Sequence, residues 1–220
     1  GELLGGSLKL VKCKTVDLEV PSEAEIVLEG RLVPNRKIAE GPVSEFPGFY
    51  VYYGPGDLVE IDCVTSRKKP IYQAIAPGYN TEHLLLGAVA IEATTSQALQ
   101  KMLPSVRRVL VTEGGMGRLH AIVSMHRPKL GEGKRAIMLA MGQVNLLKLV
   151  ICVEDDIDPE DWRQVEWSLA ARFEASRDLF VIPEVKANRC EPQEVDMTVA
   201  KLGMVATTRP GDGESGSKRE

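Results

Sequence analysis

At about Lys69 the hydrophobic period of this 220-residue chain changes, and that change limits what it can fold into. Before it, apolar residues recur at every second position. Leu8 and Leu10 share a face in residues 7–12, and Ile26 and Leu28 stand against Glu25, Val27 and Glu29 in residues 25–33. Period two is the mark of a strand with one covered face. Residues 49–53 and 59–64 are β-branched or aromatic runs separated by Gly54-Pro55-Gly56, which reads as a turn. Nothing up to Lys69 sustains a 3.6-residue period, so a small sheet or half a barrel is expected there.

Beyond Lys69 helices and strands alternate. Residues 70–76 (PIYQAIA) read as a short strand closed by Pro77-Gly78. Residues 81–102 carry Leu85, Ala88, Val89, Leu99 and Met102 at helical spacings, and Pro104 stops the helix. Residues 106–112 and 119–125 read as strands, and residues 133–146 as a second helix. Residues 149–153 are unbroken apolar, the pattern of a strand covered on both faces. Asp158 is expected as an N-cap with Pro159 at the first helical position, and Trp162, Val165, Leu169 and Phe173 then line one helical face. Residues 178–182 close the series, ended by Pro183. The order predicts an α+β chain: a β-rich part over 1–68, a layered α/β domain with a mixed sheet over 69–190, and a tail over 191–220, disordered from about residue 207.

Charge narrows the partners. Lys plus Arg number 27 and Asp plus Glu 31, a balance of −4 that argues against nucleic acid or an anionic membrane as main partner. No apolar run approaches the roughly 20 residues of a membrane span, and no secretory leader is visible. Cys13, Cys63, Cys152 and Cys190 show no metal spacing and suit a reducing cytosol, so a cytoplasmic location is expected. His120 and His126 share a strand face by parity and read as half-exposed strand histidines.

Three stretches invite chemistry. Glu113-Gly-Gly-Met-Gly-Arg118 could cradle a phosphate, but a strand follows it where a helix is needed, which favours a hairpin turn. Glu154-Asp-Asp-Ile-Asp158 follows the buried strand and could hold a hard cation, although acids at a helix start are commonly caps. Glu40 and Glu45 flank Gly41-Pro42 and precede Pro47-Gly48 in residues 39–50, beside Phe46, Phe49 and Tyr50. The glycines and prolines impose a bent loop. If that loop turns both acids into one apolar pocket, repulsion and desolvation raise a carboxyl pKa and make a proton donor. If it does not, they are two surface acids beside a turn.

The stretches LKLVKCKTVDLEVP (8–21), EIVLEG (25–30), EGPVSEFPGFY (40–50), PIYQAIAPG (70–78) and EDDIDPEDW (154–162) together resemble the UbiD family of prenylated-FMN-dependent decarboxylases, in family order, from about Gly5 to Pro183. The resemblance implies the C-terminal part of a split-barrel flavin-binding domain followed by an oligomerisation domain. It implies reversible decarboxylation of an aromatic or α,β-unsaturated acid, with Mn2+ and K+ at the flavin phosphate. By position Glu40 matches the Glu that pairs with an Arg, and Glu45 the Glu that donates a proton. Phe46 and Leu86 match pocket-lining positions. The family's Arg and its metal-binding Asn, His and Glu match nothing in this sequence: Glu2 sits too close to Cys13, and Gly142 stands where some relatives carry a lysine. The resemblance therefore implies a chain that is catalytically incomplete alone, has a missing N-terminal portion or subunit as partner, and forms a homo-oligomer. A non-catalytic oligomerisation or partner module is the alternative. A flavin barrel with other redox chemistry would need a dinucleotide fingerprint, which is absent from the sequence.

Overall fold

A computed structural model describes residues 5–209. The chain forms two compact units, one of residues up to Val43 with Tyr50–Ile75, the other of Ser44–Phe49 with the residues from Ala76 onward.

The first unit is built from antiparallel pairs. β1 (Leu10–Lys12) pairs with β2 (Glu19–Pro21), and β3 (Ile26–Glu40) pairs with β6 (Gly54–Ser66) in a long ribbon. Two short strands, β4 (Val43–Ser44) and β5 (Tyr50–Val51), bracket the segment that belongs to the other unit. The alternation read from the sequence is present, but the ribbon is longer at both strands. Glu40 is the last residue of β3 rather than part of the loop, and Pro55-Gly56 lies within β6, opposite Ala39 and Ile38, rather than in a turn. A two-stranded ribbon consists only of edges, where proline's missing N–H is tolerated. Gly30 sits where the register shifts; a Cβ there would lie 2.0 Å from the Glu60 carbonyl oxygen, so only glycine allows this approach. The cross-strand pairs Leu28–Val64 and Leu32–Val59 fall on one face, and that face is open, with Leu28 62% and Leu32 64% exposed.

The second unit is three-layered. α1 (Thr81–Met102) leads to β7 (Val106–Val111) and β8 (His120–Met125). Next come α2 (Glu132–Gln143), β9 (Leu149–Glu154), α3 (Trp162–Ala171) and α4 (Ala175–Asp178), and β10 (Leu179–Lys186) and β11 (Thr198–Ala206) close the series. The five-stranded sheet runs β10-β11-β9-β8-β7, with β8, β9 and β11 parallel and both outer strands antiparallel. Alternate residues of β8 and β9 face opposite layers. Ala121, Val123, Val150 and Cys152 pack with α1 and α2, whereas Ile122, Ile151 and Val153 pack with Val165 of α3. That double covering is why residues 149–153 read as unbroken apolar.

Several boundaries differ from the sequence expectation. Residues 70–76 form no strand, because no partner strand pairs with them. The buried stripe of α1 is Leu84, Ala88, Thr95 and Leu99, while Leu85, Val89 and Met102 are exposed. α3 is capped by Asp161, whose Oδ1 accepts from Arg163 N at 3.0 Å; Asp158 instead caps the preceding turn by accepting from Glu160 N. Phe173 lies past the end of α3. β10 continues through Pro183 with a register shift between Ile182 and Val185, which an outer strand allows. β11 lies within the stretch expected as tail and takes the place between β9 and β10. Thr207–Arg209 follow it with Thr207 buried and Thr208 bonded to Glu154; the rest of the expected disordered tail lies outside the described residues.

The edge strand β7 is sealed by polar side chains of α1. Gln100 Nε2 donates to Arg107 O at 2.8 Å, Val109 N donates to Ser96 Oγ at 3.0 Å, and Val111 N donates to Glu92 Oε1 at 2.8 Å. Four helical residues rise about 6 Å and two strand residues about 6.6 Å, so residues 92, 96 and 100 keep step with alternate positions of β7. Replacing Ser96 by Ala leaves the N–H of fully buried Val109 without its acceptor. Urea denaturation of S96A is expected to show a loss of about 1–3 kcal/mol.

His120 opens β8 and meets Trp162 edge-to-face, ring centroids 5.8 Å apart. Burial draws its pKa from 6.5 down to about 4. Protonation is thus disfavoured in the folded state, and the unfolded chain takes up the proton first as the pH falls. His120 therefore withdraws stability as pH drops from 6.5 towards 4, and contributes its full share above 6.5. Denaturation midpoints across that window are expected to fall less steeply for His120→Asn than for the unmodified chain.

Candidate active site

Glu45 stands at the neck of a turn. Its N–H donates to Phe49 O at 2.9 Å, and its carbonyl accepts from Gly48 N at 2.9 Å. Gly48 has φ of +82°, a left-handed conformation that favours glycine. With both backbone groups engaged, the carboxyl's departure point is fixed. The next residue, Phe46, is only 3% exposed and packs with Leu84 of α1 and Leu119 before β8, with Met116, Leu146 and Cys190 around them.

Arg118 completes the site. Its guanidinium lies 4.7 Å from the Phe46 ring centroid, and Nη1 and Nη2 both donate to His83 O at 3.3 Å. Burial lowers the Arg118 pKa from its ordinary value, while neighbouring Glu45 and Cys190 push it the other way. The cation thus lies in the field of the Glu45 carboxyl. The His83 ring meets Phe46 edge-on at 6.2 Å, and its Nδ1 accepts from Gly78 N at 3.2 Å. Room for Arg118 comes from Gly87, where a Cβ would fall within 2.7 Å of three guanidinium atoms. The glycine turn before β8 also closes tightly on α1: a Cβ at Gly117 would stand 2.6 Å from Leu84 O.

Each residue expected to act is accounted for. Glu45 is half-buried in the second unit, and Phe46 is a buried member of its core. Glu40 belongs to the first unit and is exposed at the end of β3, its carboxylate over Gly56. Leu86 is 56% exposed on α1. Arg118 and His83 were not anticipated, since three distant sequence positions carry no shared spacing. The Glu113–Arg118 stretch is the hairpin turn between β7 and β8, as expected. It also borders a groove of about 810 Å³ with Leu85, Val89, His120 and Trp162.

The acids after β9 are engaged by protein groups. Glu154 accepts from Thr208 N and Oγ1, Asp155 meets His126 Nδ1 at 2.7 Å, and Asp156 accepts from both Arg172 terminal nitrogens. Among the described residues no three His, Cys, Asp or Glu side chains group as metal ligands. No helix among them is long and apolar enough to cross a membrane.

Two family models match the chain. Residues 1–80 match the 3-octaprenyl-4-hydroxybenzoate carboxy-lyase Rift-related domain, and residues 84–206 match the C-terminal domain of the same carboxy-lyase. The anhydromevalonate phosphate decarboxylase of Methanothermobacter thermautotrophicus is 36% identical over 203 residues, covering 92% of this chain and 48% of that protein. The UbiD-class enzyme HmfF from Pelotomaculum thermopropionicum, solved with FMN, superposes with TM-score 0.86 at 40% identity, over 94% of this chain and 46% of its own. The vanillic acid decarboxylase of Sedimentibacter hydroxybenzoicus in closed form gives TM-score 0.80 at 28% identity, over 96% and 45%. The chain thus spans about half the length of the curated relatives it matches. Both domain matches and the structural superposition agree: this chain belongs to the UbiD family of carboxy-lyases.

Proposed function

We propose that this chain supplies the acid-bearing turn and C-terminal domain of a decarboxylase acting reversibly on an aromatic or α,β-unsaturated acid, with prenylated FMN in the complete enzyme. The observation that carries the reading is the Glu45–Arg118 pair beside buried Phe46. The relatives named as decarboxylases, and the HmfF structures solved with FMN and with prFMN, support it.

Loss of CO2 leaves a carbon that must take up a proton. Glu45 delivers it: the carboxyl leaves a backbone-fixed turn at the rim of an apolar cluster, and Arg118 stabilises the carboxylate left after transfer. Phe46 holds Arg118 against its ring, so the cation stays aimed at the turn. Glu40 would pair with an Arg from outside this sequence. Among the described residues no three His, Cys, Asp or Glu side chains group, so they do not supply a set of Mn2+ ligands. The open apolar face of the β3–β6 ribbon is the place for further polypeptide, as a barrel half would require.

In the enzyme completed to family length, Glu45→Gln is expected to lower kcat for decarboxylation by about 10²–10⁴-fold with assembly intact. Unchanged turnover would favour the non-catalytic module instead. Arg118→Met is expected to lower kcat more than it alters KM, and Arg118→Lys to restore part of the loss. Equal impairment by Met and Lys would show that Arg118 acts through packing alone.

A further inference from the structure

Cys13 and Cys63 are free, half-buried thiols of the first unit, fifty residues apart in sequence, and both border the Glu29 carboxylate. Cys63 lies opposite Glu29 on the β3–β6 ladder. Directly opposed residues send their side chains to the same face, with Cβ atoms about 5 Å apart. From the other side the loop after β1 folds onto the same carboxylate. Lys14 N donates to Glu29 Oε1 at 2.8 Å, Thr15 N to Oε2 at 2.6 Å, and Thr15 Oγ1 to Oε2 at 2.7 Å. The loop is closed by Cys13 N donating to Leu18 O at 2.9 Å. Glu29, 3% exposed, is therefore held between Cys63 and the residues that follow Cys13.

We propose that Cys13 and Cys63 form an oxidative modification site, at which a hydroperoxide joins them in an intrachain disulfide that fastens the loop after β1 to the β3–β6 ribbon. With hydrogen peroxide, one thiolate attacks a peroxide oxygen; the O–O bond breaks, a sulfenic acid forms, and the departing hydroxide takes up a solvent proton to become water. The second sulfur attacks the sulfenic sulfur, the S–S bond forms, and a second water leaves with the remaining thiol proton. Two thiols lose two electrons, and one hydroperoxide accepts them. Burial, Glu29 and Cys63 all raise the Cys13 pKa, so the thiolate is scarce at neutral pH and the reaction accelerates as pH rises. Of the other two thiols, Cys152 is fully buried on β9, and Cys190 belongs to the second unit, where a peptide map reports it separately.

The test is exposure of the native 220-residue chain to hydrogen peroxide at pH 7 and pH 9, followed by non-reducing digestion and mass spectrometry. The expected product is a cross-linked peptide pair containing Cys13 and Cys63, formed faster at pH 9, reversed by dithiothreitol and lost in C13S and C63S. The Cys13 and Cys63 thiols should disappear together, and the Lys14 and Thr15 amides should exchange more slowly afterwards. The mapping on unmodified protein stands even if a serine variant folds poorly. Separate sulfinic acids at the two positions, disulfides between molecules, or a cross-link formed only in denaturant would each overturn the proposal.

Discussion

The geometry of the site depends on the burial of one side chain, Phe46. Its neighbours on both sides, up to Val43 and from Tyr50, belong to the first unit, yet residues 44–49 join the second. Fully burying a phenylalanine contributes about 2–3 kcal/mol, enough to pin a short segment whose own hydrogen bonds close only a turn. Once Phe46 is fixed between Leu84 and Leu119, Glu45 has little freedom, since its N–H and C=O are already engaged by Phe49 and Gly48. The same ring supports the face of Arg118, whose edge bonds His83 O. A guanidinium has five N–H donors, so two bonds to one carbonyl leave others for a carboxylate. One apolar contact thereby orients both members of the charged pair.

That contact holds because the second unit is rigid around it. Leu84 belongs to α1, and α1 is tied to β7 by three polar contacts in step with the strand. Leu119 directly precedes β8, which is buried on both faces beside β9. The glycine turn between β7 and β8 brings Arg118 down on α1, and Gly87 leaves the helix surface flat enough to receive it. Glycine in a helix interior costs about 1 kcal/mol against alanine. Here the cost falls where a methyl group would displace the cation. Placement of Arg118 is thus a consequence of how the sheet edge is covered.

The sequence made the long periodic elements legible and hid those that depend on distant partners. β9 was readable because its unbroken apolar run records burial on both faces; α1 was readable over its full Thr81–Met102 span from periodicity alone, although Leu85, Val89 and Met102 are exposed. β11 was hidden because Lys201 and Gly203 interrupt its apolar run. Lys201 is 1% exposed and satisfies its ammonium on Asn145 O at 2.9 Å, while Gly203 leaves space that the Phe180 ring fills. Residues 70–76 erred the other way: the composition suits a strand, but a strand also needs a partner. Pro55 and Pro183 read as breaks because a proline's meaning differs between edge and centre, and one sequence does not say which strands are edges. The turn that carries Glu45 was legible from the Gly and Pro residues around it. Arg118 and His83 were not, because the site draws them from separate elements with no common period.

The two acids singled out in the sequence are held by different physics. Glu45 is fixed by a turn anchored in a closed, three-layered core, so its direction survives small changes elsewhere in the sheet. Glu40 ends a two-stranded ribbon, a structure marginal in water when alone, whose apolar pairs Leu28–Val64 and Leu32–Val59 have no cover among the described residues. The ribbon is restrained by local devices: the Gly30 approach to Glu60 O, and the Glu29 carboxylate that ties down the loop after β1. These fix the register near residues 29 and 30, while beyond the second register shift, between Leu32 and Lys37, the Lys37–Asp57 ion pair ties the strands before Glu40. Glu40 therefore depends on the register of an edge-only ribbon, whereas Glu45 depends on a closed core.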